Sequence, residues 1–236
     1  MNINIPFYPM RPTNGGCEPP DPNNPLQIAR PKVDGSRVLV DIKQKIAWNR
    51  HGDLYSKSDL LPWDDLTSFA ESWNVLGRYV PVDSSLMDIE FLDKHKHYKH
   101  HAVFLDFPNR TCTFGELMKE LGEEYAIRCG SVSSLIKTGK PTTSHEFTPR
   151  AGHMMVKIDH GKVLLLPYFD VSDPQVCLES QWENIKNVAI DLMREHDETT
   201  PFYEGMVVVD RDSEYVKQII SPKSVSHAWV KHRFSN

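Results

Sequence analysis

Prolines stand at positions 6, 9, 12, 19, 20, 22, 25 and 31, so the first 31 residues are the most conformationally restricted stretch of this 236-residue chain. A proline ring fixes φ and leaves no backbone N–H to donate. With Gly15 and Gly16 among the prolines, residues 1–31 read as an extended arm rather than a regular element, and the folded domain is expected over residues 32–236.

Beyond the arm the texture changes. Arg37–Lys43 and Lys45–Arg50 read as two strands joined by a tight polar connection, and further strands are expected at Leu86–Leu92 and Ala102–Phe107. Asp64 or Asp65 can cap a helix with Leu66, Phe69, Ala70, Trp73 and Leu76 on one face. A second helix presents Phe114, Leu117, Met118, Leu121 and Tyr125. Residues 130–152 are polar and read as a long loop or irregular crossover. His153–Ile158 and Val163–Phe169 form a hairpin in this reading, followed by a helix over about Gln181–His196. Three strands close the chain, at Met206–Arg211, Val216–Ser221 and Ala228–Phe234. Paired strands with a few interspersed helices make the fold class α+β, with mostly antiparallel sheets and flanking helices. Trp48, Trp63, Trp73 and Trp182 are expected in the core.

Composition excludes more than it assigns. No apolar run reaches 18 residues, which argues against a membrane span and a membrane partner. The start MNINIPFYPMRP lacks the basic and apolar regions of a secretory signal. Cys17, Cys112, Cys129 and Cys177 form no C-x-x-C pair, which suits a reducing, cytoplasmic location. A net charge of −5 gives no support to nucleic-acid binding, although local fields matter more than totals.

The most informative segment is Lys32-Val33-Asp34-Gly35-Ser36-Arg37, a K-x-D-G-x-R pattern leading straight into a strand. Asp34-Gly35 by itself is an ordinary hairpin turn. Other segments follow in order: Trp48-Asn49-Arg50-His51-Gly52, Met87-Asp88-Ile89-Glu90, Val103-Phe104-Leu105-Asp106, Tyr203-Glu204-Gly205-Met206-Val207-Val208 and Trp229-Val230-Lys231-His232-Arg233. Together they resemble the ordered motifs of the covalent nucleotidyltransferases, the superfamily of DNA ligases, RNA ligases and mRNA capping enzymes. The run Asp212-Ser213-Glu214-Tyr215 ahead of the last motif looks most like the adenylation domain of ATP-dependent DNA ligases.

The resemblance implies a nucleotidyltransferase (adenylation) fold and a function. Lys32 is the implied nucleophile that carries AMP. A lysine amine attacks phosphorus only when neutral, so its surroundings have to favour loss of the proton. Arg37 and Arg50 are implied anion contacts, and Phe104 is implied as the residue stacking on the base, with Leu105 the alternative by alignment on Asp106. Glu90 and Glu204 contact the nucleotide or hold a hard divalent cation, Mg²⁺ or Mn²⁺. Lys231 and Arg233 neutralise the triphosphate. ATP is the implied cofactor, and nicked DNA the implied partner, with RNA second. A capping guanylyltransferase comes third, and a binding module without catalysis is the alternative of a different class.

Several positions depart from the family pattern. Ile89 stands where glycine is usual, Val209 where a cation is usual, and Arg233 for a second lysine. No OB-fold domain follows Arg233 in this sequence. A partner protein supplying that function, or the arm folding over the nucleotide with Arg11 or Arg30, is the expectation. The run Lys94-His95-Lys96-His97-Tyr98-Lys99-His100-His101 reads as a solvated connection or a phosphate-touching loop; its cations disfavour a metal site.

Overall fold

The computed structural model, which describes residues 4–76, 82–96, 98–125, 156–157, 161–174, 176–217 and 221–235, draws the proline-rich beginning of the chain into a sheet. Strands β1 (Pro12–Gly16) and β2 (Gln27–Val33) both lie in the segment expected to be an irregular arm. Pro31 is tolerated in β2 because only one neighbour runs beside it at that point. It faces Met206 of β12 (Tyr203–Asp210), whereas the pairing with β11 (Phe169–Asp170) involves only Ile28 and Ala29. With β13 (Ser226–Arg233), these strands form a five-stranded sheet in the order β1-β13-β12-β2-β11.

The second sheet has six strands: β3 (Ser36–Asp41), β4 (Ile46–Asn49), β6 (Leu86–Phe91), β7 (Ala102–Asp106), β9 (Val156–Lys157) and β10 (Val163–Leu165), in the order β4-β3-β6-β7-β10-β9. A small pair, β5 (Val82–Asp83) with β8 (Asn109–Arg110), stands apart. Each large sheet holds one parallel pair, β1 with β13 and β7 with β10, and the other pairings are antiparallel. With α1 (Trp63–Leu76), α2 (Phe114–Tyr125) and α3 (Leu178–His196), the described residues make the expected α+β fold.

Packing follows the strand period. Along β2, Ala29 and Val33 point to one face and are buried with Met206 and Val208 beneath Trp182, Ile185, Val188 and Leu192 of α3. The same alternation sends Arg30 and Lys32 to the opposite face. In the six-stranded sheet, Val38, Val40, Ile89 and Phe104 share a core with Phe69 and Trp73 of α1 and with Leu117, Met118 and Leu121 of α2. Helix α2 starts on a reciprocal cap: Thr113 N–H donates to Glu116 Oε2 (2.8 Å), and Glu116 N–H donates to Thr113 Oγ1 (3.3 Å).

Some boundaries differ from expectation. α1 begins at Trp63, so Asp64 and Asp65 lie in its first turn rather than at the cap. Val163–Phe169 is not one strand. It breaks after Leu165 ahead of Pro167, and Phe169 joins the other sheet. Val216, Lys217 and Ser221 are not strand residues; residues 218–220 lie outside the described ones, as do 130–152. Tyr215, just before Val216, is buried in the core. Trp48, Trp73 and Trp182 are buried as expected, whereas Trp63 is half-buried with its indole N–H on Ser58 O (2.8 Å). No helix among the described residues is long and apolar enough to cross a membrane.

Candidate active site

Both large sheets contribute to one cavity of about 520 Å³, a size suited to a small-molecule ligand. Lys32, Arg37, Arg50, Glu90, Glu204, Lys231 and Arg233 all line it, although they are spread over some two hundred residues of sequence. Eight Lys and Arg side chains face it against three carboxylates, so the cavity is cationic in a protein whose net charge is −5.

Strand register explains the convergence. Gly205 of β12 lies opposite Lys32 of β2 on one side and opposite Arg233 of β13 on the other. One step along, Val207 lies between Arg30 and Lys231 in the same way. Two rows of cations therefore cross three neighbouring strands. The bulge between Tyr203 and Gly205 turns Glu204 into the row, where it forms ion pairs with Lys32 and with Arg233, whose Nε lies 3.1 Å from Oε2. Gly205 holds φ at +145°, and a Cβ there would stand 1.9 Å from His232 O. Only glycine fits that backbone and that spacing.

The opposite wall is built on β3 and β6. Arg37 pairs across the strands with Glu90, and its Nε donates to Asp88 Oδ1 at 2.9 Å. Asp88 is fully buried and also accepts from Tyr215 Oη at 2.7 Å. Burial opposes the Arg37 charge, but the Asp88 carboxylate more than offsets it and raises the pKa further. Trp229 lies beneath two guanidinium groups, those of Arg30 (5.5 Å) and Arg37 (5.6 Å). Arg30, almost wholly buried, donates to Leu105 O at 2.9 Å, and burial lowers its pKa to about 10. Burial pushes Glu90 up to about 7, against the pull of Lys32 and Arg37. Lys231 is lowered, first by burial and then by its neighbours Arg233 and Lys32.

At the cavity mouth, exposed Arg50 donates from Nε to His51 Nε2 (3.0 Å), on a turn braced by Asn49, whose Oδ1 accepts from the His51 N–H at 2.7 Å. Arg11 also reaches the cavity, anchored by its NH1 on Pro222 O at 3.1 Å.

Neither a protein-family model nor a curated protein matches the sequence. Solved structures do align with the chain. They include the ligase domain of LigD from M. tuberculosis (14% identity, 96% of this chain, 59% of that chain, TM-score 0.41). Mycobacterial DNA ligase D complexed with ATP and MES aligns at 14% identity over 98% of this chain and 61% of that chain, with a TM-score of 0.43. A Lig E DNA ligase aligns at 9% identity over 97% of this chain and 69% of that chain, with a TM-score of 0.44. The chain spans about three-fifths of the length of the first two.

One sequence-derived assignment is corrected. Phe104 does not line the cavity. It is 2% exposed and packs against Phe107 (centroids 4.6 Å apart) and Phe69 (5.2 Å), on the face of β7 turned to α1. Strand alternation puts Leu105 on the other face, where it lines the cavity. Ile89 and Val209 are both fully buried, Ile89 on the face of β6 opposite Glu90 and Val209 on the same face of β12 as Val207. Among the described residues no group of three or more His, Cys, Asp or Glu side chains could hold a metal ion. Glu90 and Glu204 alone offer cavity carboxylates beside Asp34. Arg11 and Arg30, which the sequence reading offered from the arm, both line the cavity, whereas Asp88 escaped it as a site residue although it stands two positions before Glu90.

Proposed function

We propose that the chain is an ATP-dependent polynucleotide ligase that joins 5′-phosphate and 3′-hydroxyl ends of DNA through a lysyl-AMP intermediate on Lys32. The observation that carries this reading is the convergence of Lys32, its carboxylate partner Glu204 and the surrounding cations in one cavity.

The Lys32 ammonium must shed a proton before its nitrogen can attack, and Glu204, already its ion-pair partner, is placed to take it. A phosphorus–nitrogen bond then forms at the α-phosphate of ATP. The bond from that phosphorus to the bridging oxygen breaks, and pyrophosphate leaves with the electron pair. Arg37, held by Asp88, together with Lys231 and Arg233 offers fixed positive charge to the phosphates as charge shifts to the leaving group. In the second step a 5′-phosphate oxygen displaces Lys32 from AMP; in the third, a 3′-hydroxyl displaces AMP and loses its proton. Leu105 and Leu166 supply apolar surface for the base.

Mg²⁺ bound to one or two carboxylates and to substrate phosphates fits the donor set of Glu90 and Glu204, and supplies charge neutralisation at the phosphates. The raised pKa of Glu90 fits a carboxylate that ionises fully when a cation arrives.

The test is incubation with ATP labelled at the α-phosphate and Mg²⁺. Covalent label on the protein that survives denaturation and alkali but is released by hot acid, as a phosphorus–nitrogen bond is, absent from Lys32→Ala and chased onto nicked duplex DNA, is expected. Label only from GTP, or no label at all, overturns the reading. Transfer to nicked RNA in preference to DNA changes the substrate.

A further inference from the structure

The histidine-rich run is not simply a solvated connection. His95 is fully buried, while its neighbours Lys94 and Lys96 are exposed. Its ring lies between two segments far apart in sequence. Nε2 is 2.7 Å from the backbone oxygen of Asp34 and 3.7 Å from Asp34 Oδ2. Nδ1 is 3.8 Å from Glu198 Oε2, just beyond the end of α3. The Phe202 ring closes one side, its centroid 5.2 Å away, and Phe202 O accepts the Asp34 N–H at 3.0 Å.

The charged groups around the ring favour its protonated form. From the turn after β2 comes Asp34. From the segment after α3 comes Glu198, whose Oε1 accepts the Lys96 N–H at 2.5 Å, and Asp197, which pairs outside with Lys96 Nζ at 3.0 Å. On the other side of the balance stands Lys94, half-exposed, with Nζ 3.5 Å from Asp34 Oδ1. Burial opposes the imidazolium, but the hydrogen bond to Asp34 and the charges of Asp34 and Glu198 outweigh it and raise the His95 pKa above its ordinary value. The His95 ring facing the Asp34 carboxylate is in turn the largest influence holding that carboxyl below the usual range.

Asp34 and Gly35 form the turn between β2, which carries Lys32, and β3, which carries Arg37. We propose that His95 is a positioning residue for the nucleophile: its protonated ring, clamped between Asp34 and Glu198, holds the turn that fixes Lys32 against the cavity. This rests on the lysyl-AMP reading. The grip is complete below the ordinary histidine pKa and is lost as pH rises through the raised value, because the neutral ring can keep the Nε2 hydrogen bond to Asp34 O but loses its charge attraction to the Asp34 and Glu198 carboxylates, Nδ1 having no hydrogen-bond partner of its own.

His95→Gln keeps one donor at the position of Nε2 but cannot titrate. The single-turnover labelling rate is expected to fall about tenfold below pH 6, with the half-saturating ATP concentration unchanged, since alignment and not binding is affected. The ratio of wild-type to variant rates cancels the shared titration of Lys32. It is expected to decline towards one as pH rises, and Glu198→Gln is expected to move that decline to lower pH. Amide resonances of Asp34 and Gly35 provide a readout that does not need catalysis: in wild type they are expected to shift with the His95 ring titration, and in His95→Gln not to shift. A flat rate ratio, or amides indifferent to the ring, overturns the proposal. If wild-type protein takes no label while the amides still follow His95, the clamp stands and the ligase reading fails.

Discussion

Gly35 leaves the space that Glu90 occupies: a Cβ on Gly35 would stand 2.7 Å from Glu90 Cγ and 2.8 Å from Phe91 O. The backbone oxygen cannot yield without disturbing β6, so the glycine of the K-x-D-G motif is needed for room. Gly35→Ala is expected to displace Glu90 and cut the labelling rate by roughly 10²-fold while the chain remains folded. Quench-flow labelling beside a circular dichroism spectrum checks both halves, and an unchanged rate counts against Glu90 as part of the site.

Lys32→Arg keeps a cation beside Glu204 but cannot supply a neutral amine, because a guanidinium does not deprotonate in proteins. Covalent label is expected to vanish while reversible ATP binding, followed by calorimetry, persists. Label on the Lys32→Arg protein would assign the nucleophile elsewhere.

Glu90 gives a stability signature. It holds its proton to about 7 in the folded chain, against an ordinary value of 4.5. Between those values the folded chain binds a proton that the unfolded chain has lost, so stability falls as pH rises through the window and levels off above it. Glu90→Gln removes the titration. Without divalent cation, the melting temperature of wild type relative to the variant is expected to drop by a few degrees between pH 4 and pH 8. Parallel profiles for the two proteins would exclude a raised Glu90.

Asp106 and Arg110 are joined by Oδ1 to Nε at 2.7 Å with both side chains fully buried. Removing one partner leaves an uncompensated charge, so Asp106→Ala is expected to cost about 3–5 kcal/mol in urea unfolding. A loss under 1 kcal/mol would mean that water reaches the pair.

Phe104 packs in the core, and Leu105, the alternative at the base-stacking position, lines the cavity. Phe104→Leu is expected to destabilise by roughly 1–3 kcal/mol with half-saturating ATP unchanged, since it loosens the packing on Phe69 and Phe107. Leu105→Ala is expected to raise half-saturating ATP several-fold with little loss of stability. The reverse pattern restores the aromatic as the base contact.

These residues show which features of the sequence could be read and why. Lys32, Arg37, Glu90 and Glu204 stood out because each falls in a short segment resembling a nucleotidyltransferase motif, and those segments follow one another in the same order along the chain. Phe104 was misassigned because a one-residue shift in a strand reverses the face, and side-chain type cannot fix that register. His95 was hidden among exposed cations; its burial depends on Asp34 and Glu198, which no local pattern brings together. Among the prolines, Pro12 and Pro31 lie in strands that the arm reading did not foresee, since the partner of β1 is β13, more than two hundred residues further along the chain.

That partner also decides how the five-stranded sheet meets other molecules. One border is β1, where Pro12 offers no amide and Gly15 and Gly16 no side chain to grip an incoming strand; the other is β11, two residues long. Both borders are blunt, and the long strand carrying Trp229, Lys231 and Arg233 is closed off between β1 and β12. Stripping the first sixteen residues would open its flank, turning a cationic, cavity-lining strand into a template for self-association.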